Sequence, residues 1–213
     1  LENFNLAQSL QELFDVPVCV DNDSNFAAQA EATSGNAVDT DDFLYFLVNT
    51  SDEKQAYAIS SLGASLYLNG KLCRGAHFGA GEIDTLLDSK PYGTVEAQHL
   101  LAMADRDGKF VDELIPIADH IADTLVLMTD LIDPSIVIVG GNLGLANQQM
   151  LSYIQQRVNE KNVPIPMRHI KVVASAHMDH GVCLGAASVA LDQALVSEDP
   201  LVLSDEISPA HHA

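Results

Sequence analysis

The chain has no tryptophan, three cysteines in 213 residues, and ten lysines and arginines against thirty aspartates and glutamates. Each shortage excludes something. Cys19, Cys73 and Cys183 are widely spaced and odd in number, which argues against a disulfide scaffold and for a reducing, cytoplasmic setting. The formal net charge of −20 excludes nucleic acid as a partner for most of this surface, because phosphate binding depends on cations that displace counterions. If the protein binds DNA, another segment does so. The commoner consequence of such acidity is solubility. No apolar run approaches the roughly 20 residues of a membrane span, so no membrane partner is expected.

What is present describes a globular chain: 47% of residues are hydrophobic and 19% charged. The length suits one large domain or one lobe of a larger protein. The chain starts at Leu1, without methionine and directly in a helix-like pattern, and is read as a piece excised from a longer protein.

Helical and extended patterns alternate. Leu6, Leu10, Leu13 and Phe14 mark an amphipathic helix that ends before Pro17, and Val16–Val20 reads as a short strand. A helix runs from Ser24 to about Asn36, closed near Gly35. Phe43–Val48, apolar without alternation, predicts a strand buried on both faces. The polar stretch Asn49–Gln55 predicts an exposed turn, and Ala56–Leu68 a longer strand that reverses at Asn69-Gly70, a strong hairpin signal. Helices are expected at about Val95–Ala104 and Val111–Ile132. A strand follows at Ser135–Val139, then Gly140-Gly141-Asn142 and a helix to about Asn159. A strand at His169–Ala174 and a helix of small residues at Gly185–Leu195 complete the pattern, with residues 1–196 as the folded lobe. The acidic tail, 197–213, is expected to be loosely held. Strands alternating with helices predict an α/β fold, a sheet covered by helices.

Several polar residues stand at chemically useful places. Asp23 lies at a strand-to-helix junction, where Asp23 or Ser24 could simply cap the helix. Glu82 follows Gly79-Ala80-Gly81, a loop whose backbone a ligand can approach closely, although an isolated glutamate there is commonly a solvated turn residue. Gly140-Gly141 after a buried strand fits either an anion-binding helix start or a tight turn. His177 and His180, with Asp179 between them, have metal-like spacing but no third ligand by spacing, and His211-His212 reads as a solvated end. No metal and no cofactor are expected.

Three phrases carry a resemblance: NDSNFAAQAE at Asn22–Glu31, NGKLCRG at Asn69–Gly75 and GAGEI at Gly79–Ile83. Together they resemble the ROK family, which groups bacterial sugar kinases with sugar-responsive transcriptional repressors. The resemblance covers roughly Val16 to Leu195. It implies the second lobe of an actin-like, ribonuclease H-like ATPase fold, with a mixed sheet covered by helices. It also implies that Asp23 occupies the place of a general base acting on a sugar hydroxyl, with Asn22 and Glu82 as sugar contacts and Gly140 and Gly141 in the wall of the adenine-nucleotide site.

The departures from the family pattern point away from catalysis. Gly-Glu-Ile is typically followed there by Gly-His and then by a cysteine loop, and that histidine and three cysteines hold zinc. Here Asp84-Thr85 replaces Gly-His, and Leu87, Ser89 and Thr94 stand at the cysteine places, while Gly93 and Glu96 remain. Leucine offers no donor atom, and hydroxyls are poor zinc ligands beside thiolate and imidazole. The family's Gly-x-Gly-x-Gly phosphate hairpin reads Ser61-Leu-Gly63-Ala-Ser65, where the two serine side chains are expected to crowd a phosphate. The leading expectation is therefore a non-catalytic, effector-sensing and oligomerisation domain of a ROK-type regulator. It would respond to a sugar or sugar derivative, form a homo-oligomer, and reach DNA only through a separate N-terminal domain. A divergent zinc-free sugar kinase and a vestigial interaction module are the alternatives.

Overall fold

Phe43 to Val48 is apolar at every position because the strand it opens lies in the middle of a sheet with both faces covered. In the computed structural model, which describes residues 5–14, 16–53, 56–83, 95–96, 115–141 and 148–196, that strand is β1 (Phe43–Glu53). On one side it pairs antiparallel with β2 (Ala56–Leu68), and on the other parallel with β5 (Ile136–Gly140). The sheet runs β3-β2-β1-β5-β6, where β3 is Lys71–Cys73 and β6 is Lys171–Ala174; β4 (Val95–Glu96) also pairs with β2. The sheet is mixed, as expected.

The side-chain period of two divides β1 between two cores. Leu44, Phe46 and Val48 join Leu62 and Ala64 of β2 and face α3 (Ile115–Ile132) and α4 (Gln148–Lys161). Helix α3 contributes Ala118, Ile121, Ala122 and Leu125, the i, i+3, i+4, i+7 stripe of an amphipathic helix. Phe43, Tyr45 and Leu47 point the other way, towards Ala27 and Ala28 of α2 (Asp23–Ser34). Behind α2 lies α5 (Gly181–Val196), reached through a 3-10 turn at Met178–His180. A Cβ placed on Gly185 would sit 1.6 Å from the Phe26 carbonyl oxygen, so α2 and α5 approach closely at a point where no side chain fits.

The Asn69-Gly70 signal is borne out: both residues have positive φ, 54° and 71°, the signature of a type I′ hairpin turn. Three expectations are corrected. Val16–Val20 is not a strand. The Gln11 side chain from α1 (Leu6–Gln11) donates to the Phe14 and Val16 carbonyls (3.1 and 2.9 Å) and accepts from the Val18 amide (2.9 Å), satisfying groups that a strand would give to a neighbour. The polar stretch after Val48 is not an exposed turn, because β1 continues to Glu53, opposite Ala56, across a register shift at Asn49/Thr50. Val95-Glu96 does not begin a helix; it pairs with Ala56 and Tyr57 of β2. Helix α5 also starts four residues earlier than its pattern suggested. The expected helix between Gly141 and Asn159 is seen from Gln148. The rest of the Val95–Ala104 helix, the start of the Val111 helix and the tail 197–213 lie outside the described residues.

Candidate functional site

The site is built on a row across the sheet. Gly140, the last residue of β5, is level with Leu47 of β1; Leu47 is level with Gly63 of β2; and Gly63 bridges to Glu82. Of the expected residues, Gly140 and Glu82 therefore lie at the two ends of one row of about 14 Å, three strand spacings, at the C-terminal end of the parallel pair β1–β5. Crevices beyond the carboxyl ends of parallel strands are where open α/β sheets bind ligands.

Helix α2 enters this row from above. Asn22 is its N-cap, and its Oδ1 accepts from the Ser24 amide at 3.2 Å. Asp23 opens the first turn, and its own Oδ1 also accepts from that amide, at 2.7 Å. The helix cap is therefore Asn22, not Asp23 or Ser24 as the sequence suggested, and Asp23 sits beside it in the first turn. Asn22 Nδ2 donates directly to Glu82 Oε1, so two of the residues singled out in the sequence touch across 60 positions. Glu82 is held there because Ala64 N donates to the Gly81 carbonyl (2.9 Å) and Gly81 has φ of +90°. A Cβ on Gly81 would lie 1.7 Å from the Ala64 oxygen, so only glycine permits this approach.

Three residues that sequence reasoning missed, Asp21, Asn25 and Arg74, join Ser65 of the expected phosphate hairpin around the candidate site. Asp21 Oδ1 accepts from the Asn22 amide (2.8 Å) and from Asn25 Nδ2 (2.6 Å), while its Oδ2 accepts from Arg74 Nε (2.8 Å) and Nη2 (2.7 Å). Ser65 Oγ donates to Asn25 Oδ1 (2.8 Å) and lies 3.0 Å from Ser24 Oγ. The i, i+4 spacing of Asp21 and Asn25 at a helix start was the available signal, and Arg74 lay inside the NGKLCRG phrase. Ser65 does not crowd an open cleft, as its sequence position suggested; it is completely buried and its hydroxyl is spent inside the protein. Ser61 Oγ accepts from Asn49 Nδ2 at 3.2 Å across the β1–β2 pair.

Gly140 and Gly141 have packing reasons of their own. A Cβ on Gly140 would meet the Tyr45 hydroxyl at 1.8 Å, and one on Gly141 the Val48 carbonyl oxygen at 2.2 Å. Burial pushes the Tyr45 hydroxyl up to about 12, against a hydrogen bond to Ser175 that lowers it. Ser175 Oγ in turn donates to Glu31 Oε1 (2.6 Å). The buried Glu31 carboxylate also accepts from the Ala176 amide (2.8 Å) and, through Oε2, from the Asn36 amide (2.7 Å). His177 turns towards Ser34 Oγ (3.2 Å), and among the described residues no cluster of three metal-ligating side chains occurs. Thr85, Leu87, Ser89 and Thr94 lie outside the described residues, as does Asp84. No helix among the described residues is long and apolar enough to cross a membrane.

A mixed sheet between two helical layers, with polar groups at the ends of its parallel strands, is the architecture that the resemblance implied for a lobe of the actin-like, ribonuclease H-like ATPase fold. A glucokinase of the ROK family from Streptomyces griseus, solved with glucose and AMPPNP, superposes with a TM-score of 0.70 at 21% identity, covering 88% of this chain and 72% of that one. A ROK family transcriptional regulator, a homologue of the E. coli MLC protein, superposes with a TM-score of 0.69 at 20% identity, covering 90% and 56%. The ROK family profile matches residues 1–90 and 87–193, and the chain belongs to the ROK family. Among curated relatives, a beta-glucoside kinase from Listeria monocytogenes is 34% identical over 90 residues, which are 42% of this chain and 27% of the kinase. A xylose repressor from Caldicellulosiruptor bescii is 21% identical over 237 aligned positions, covering 91% of this chain and 57% of the repressor. The chain thus spans between about a quarter and just over half of the length of these curated relatives.

Proposed function

We propose that this chain is the effector-sensing and oligomerisation part of a ROK-type transcriptional regulator, which binds a sugar or sugar derivative without phosphorylating it. Asn22, Asp23 and Glu82 form the sugar-facing side, and Gly140 and Gly141 the far wall of the same cleft, where a kinase would hold adenine nucleotide. The reading is carried by the state of the β2 segment. The place of a glycine cradle holds Ser61, Gly63 and Ser65, and Ser65 is buried and bonded to Ser24 and Asn25, which makes this segment a support for α2. The match to the xylose repressor along 91% of the chain adds support. Signalling then needs no chemistry, only a ligand with different affinity for two conformations.

Asp23 and Glu82 give the sugar side two carboxylates, so the ligand supplies hydrogen-bond donors and is neutral. Titration calorimetry on the protein as encoded, with neutral and phosphorylated hexoses and pentoses, tests this. A neutral sugar binds, its phosphate ester binds more weakly, and Glu82→Ala weakens the neutral sugar by tenfold to a hundredfold, the equivalent of about 1.5–3 kcal/mol for one charged hydrogen bond. Unchanged affinity in Glu82→Ala removes that residue from the site. The second reading, a divergent zinc-free kinase, is favoured by the position of Asp23: among the described residues its carboxylate takes one hydrogen bond, from the Ser24 amide, which leaves capacity for a substrate hydroxyl. ATP-dependent turnover of a sugar by the encoded protein, abolished by Asp23→Asn, would put that reading first.

A further inference from the structure

The two halves of the proposed sugar face come from distant parts of the chain, and one residue is attached to both. Arg74 leaves β3 just before the glycine loop. Its carbonyl accepts from the Ala80 amide at 3.1 Å, fixing the loop that ends in Glu82. Its guanidinium grips Asp21 Oδ2 through two nitrogens at 2.7 and 2.8 Å. Asp21 is only 11% exposed in its side chain, and its other oxygen holds the Asn22 amide and Asn25 Nδ2. From behind, the buried Ser65 hydroxyl fixes the Asn25 carboxamide at 2.8 Å and touches Ser24. Every oxygen of Asp21 is thus committed, and its neighbour in sequence is the N-cap that meets Glu82. A carboxylate held from two sides cannot turn without turning the Asn22–Asp23 peptide with it.

We infer that Asp21 and Arg74, backed through Asn25 by Ser65, are the positioning residues of the sugar face. They hold the Asn22–Asp23 turn and the Glu82 loop in contact, and so decide which hydroxyl pair fits against the two together. This rests on the proposed reading of Asn22, Asp23 and Glu82 as sugar contacts. It assigns Ser65 a role that glycine, the family residue at that place, cannot perform, because only a side-chain hydroxyl reaches Asn25.

Two readouts on the encoded protein separate this inference from the reading beneath it. The first is amide hydrogen exchange at Asn22, whose N–H is given to Asp21. Arg74→Ala speeds exchange there by about tenfold, Ser65→Gly speeds it at Ser24 and Asn25, and Arg74→Lys, which keeps the charge, restores most of the protection. The second is calorimetric affinity for glucose and xylose as neutral probes. Arg74→Ala and Ser65→Gly each weaken the better-bound sugar by about tenfold, and Arg74→Lys recovers most of it, while the thermal midpoint of Arg74→Lys stays that of the parent. If Glu82→Ala abolishes binding but neither Arg74→Ala nor Ser65→Gly changes affinity, the positioning role is overturned and the sugar site stands. If no sugar binds the parent protein, the sugar reading falls. Exchange at Asn22 then still decides the network, and protection unchanged in Arg74→Ala overturns it.

Discussion

Gly79 and Gly81 lie two residues apart in one loop and play opposite parts. Nothing lies within 4 Å of a Cβ placed on Gly79, whereas one on Gly81 would strike the Ala64 oxygen at 1.7 Å in a backbone with φ of +90°. Gly79→Ala is expected to leave stability within about 0.5 kcal/mol, and Gly81→Ala to cost about 2 kcal/mol or more and to release Glu82 from Gly63. Urea unfolding of the pair checks both; equal midpoints would mean that the loop is not pinned to β2. Tyr45 makes a pH prediction. Its hydroxyl is pushed up to about 12 by burial, above the 10 of an exposed tyrosine, so between those pH values the folded state keeps a proton that the unfolded state has released. The stabilisation is complete below pH 10 and is lost as the pH rises towards 12, by up to about 1.4 kcal/mol per unit. Tyr45→Phe is expected to flatten that alkaline slope in denaturation measured from pH 9 to 11.5, against a small loss at neutral pH from the missing Ser175 bond.

At the scale of elements, the pairing of α2 with α5 rests on small residues. Ala27 lies within 3.5 Å of a Cβ on Gly181, and Gly185 meets the Phe26 carbonyl so closely that a methyl group must push the helices apart. Gly185→Ala is expected to lower stability by about 3 kcal/mol, the scale of overpacking in a filled interior. Because Phe26 lies one turn from Asp23 at the start of α2, the same substitution should also weaken sugar binding. A midpoint of thermal unfolding equal to that of the parent would show that α5 yields easily. Glu31 strengthens the C-terminal half of α2 with three donors from residues 36, 175 and 176, a buried carboxylate satisfied by hydrogen bonds.

For the whole molecule, the strongest prediction concerns a metal. The places that the resemblance assigns to zinc ligands carry Thr85, Leu87, Ser89 and Thr94, none of which offers a thiolate or an imidazole. Protein purified without chelator and analysed by plasma emission should carry far less than one zinc per chain. A near-stoichiometric content would mean that other residues of the chain supply the ligands.

What the sequence determined by itself was local or binary. Apolar runs marked β1 and β5, positive-φ chemistry marked the Asn69-Gly70 turn, the helical stripe of α3 was legible, and three phrases located Asn22, Asp23 and Glu82. Tertiary structure alone decided the rest. Val16–Val20 has strand composition but its polar groups go to Gln11, and Val95-Glu96 fits a helical sequence pattern but takes a place on β2. Both outcomes depend on a partner that no local pattern encodes. Asp21, Arg74 and Ser65 look like ordinary polar residues until folding brings β2 and β3 against the start of α2. The chain then spends their hydrogen bonds on holding the turn of Asn22 and Asp23, because a buried polar group must find a partner wherever the fold provides one.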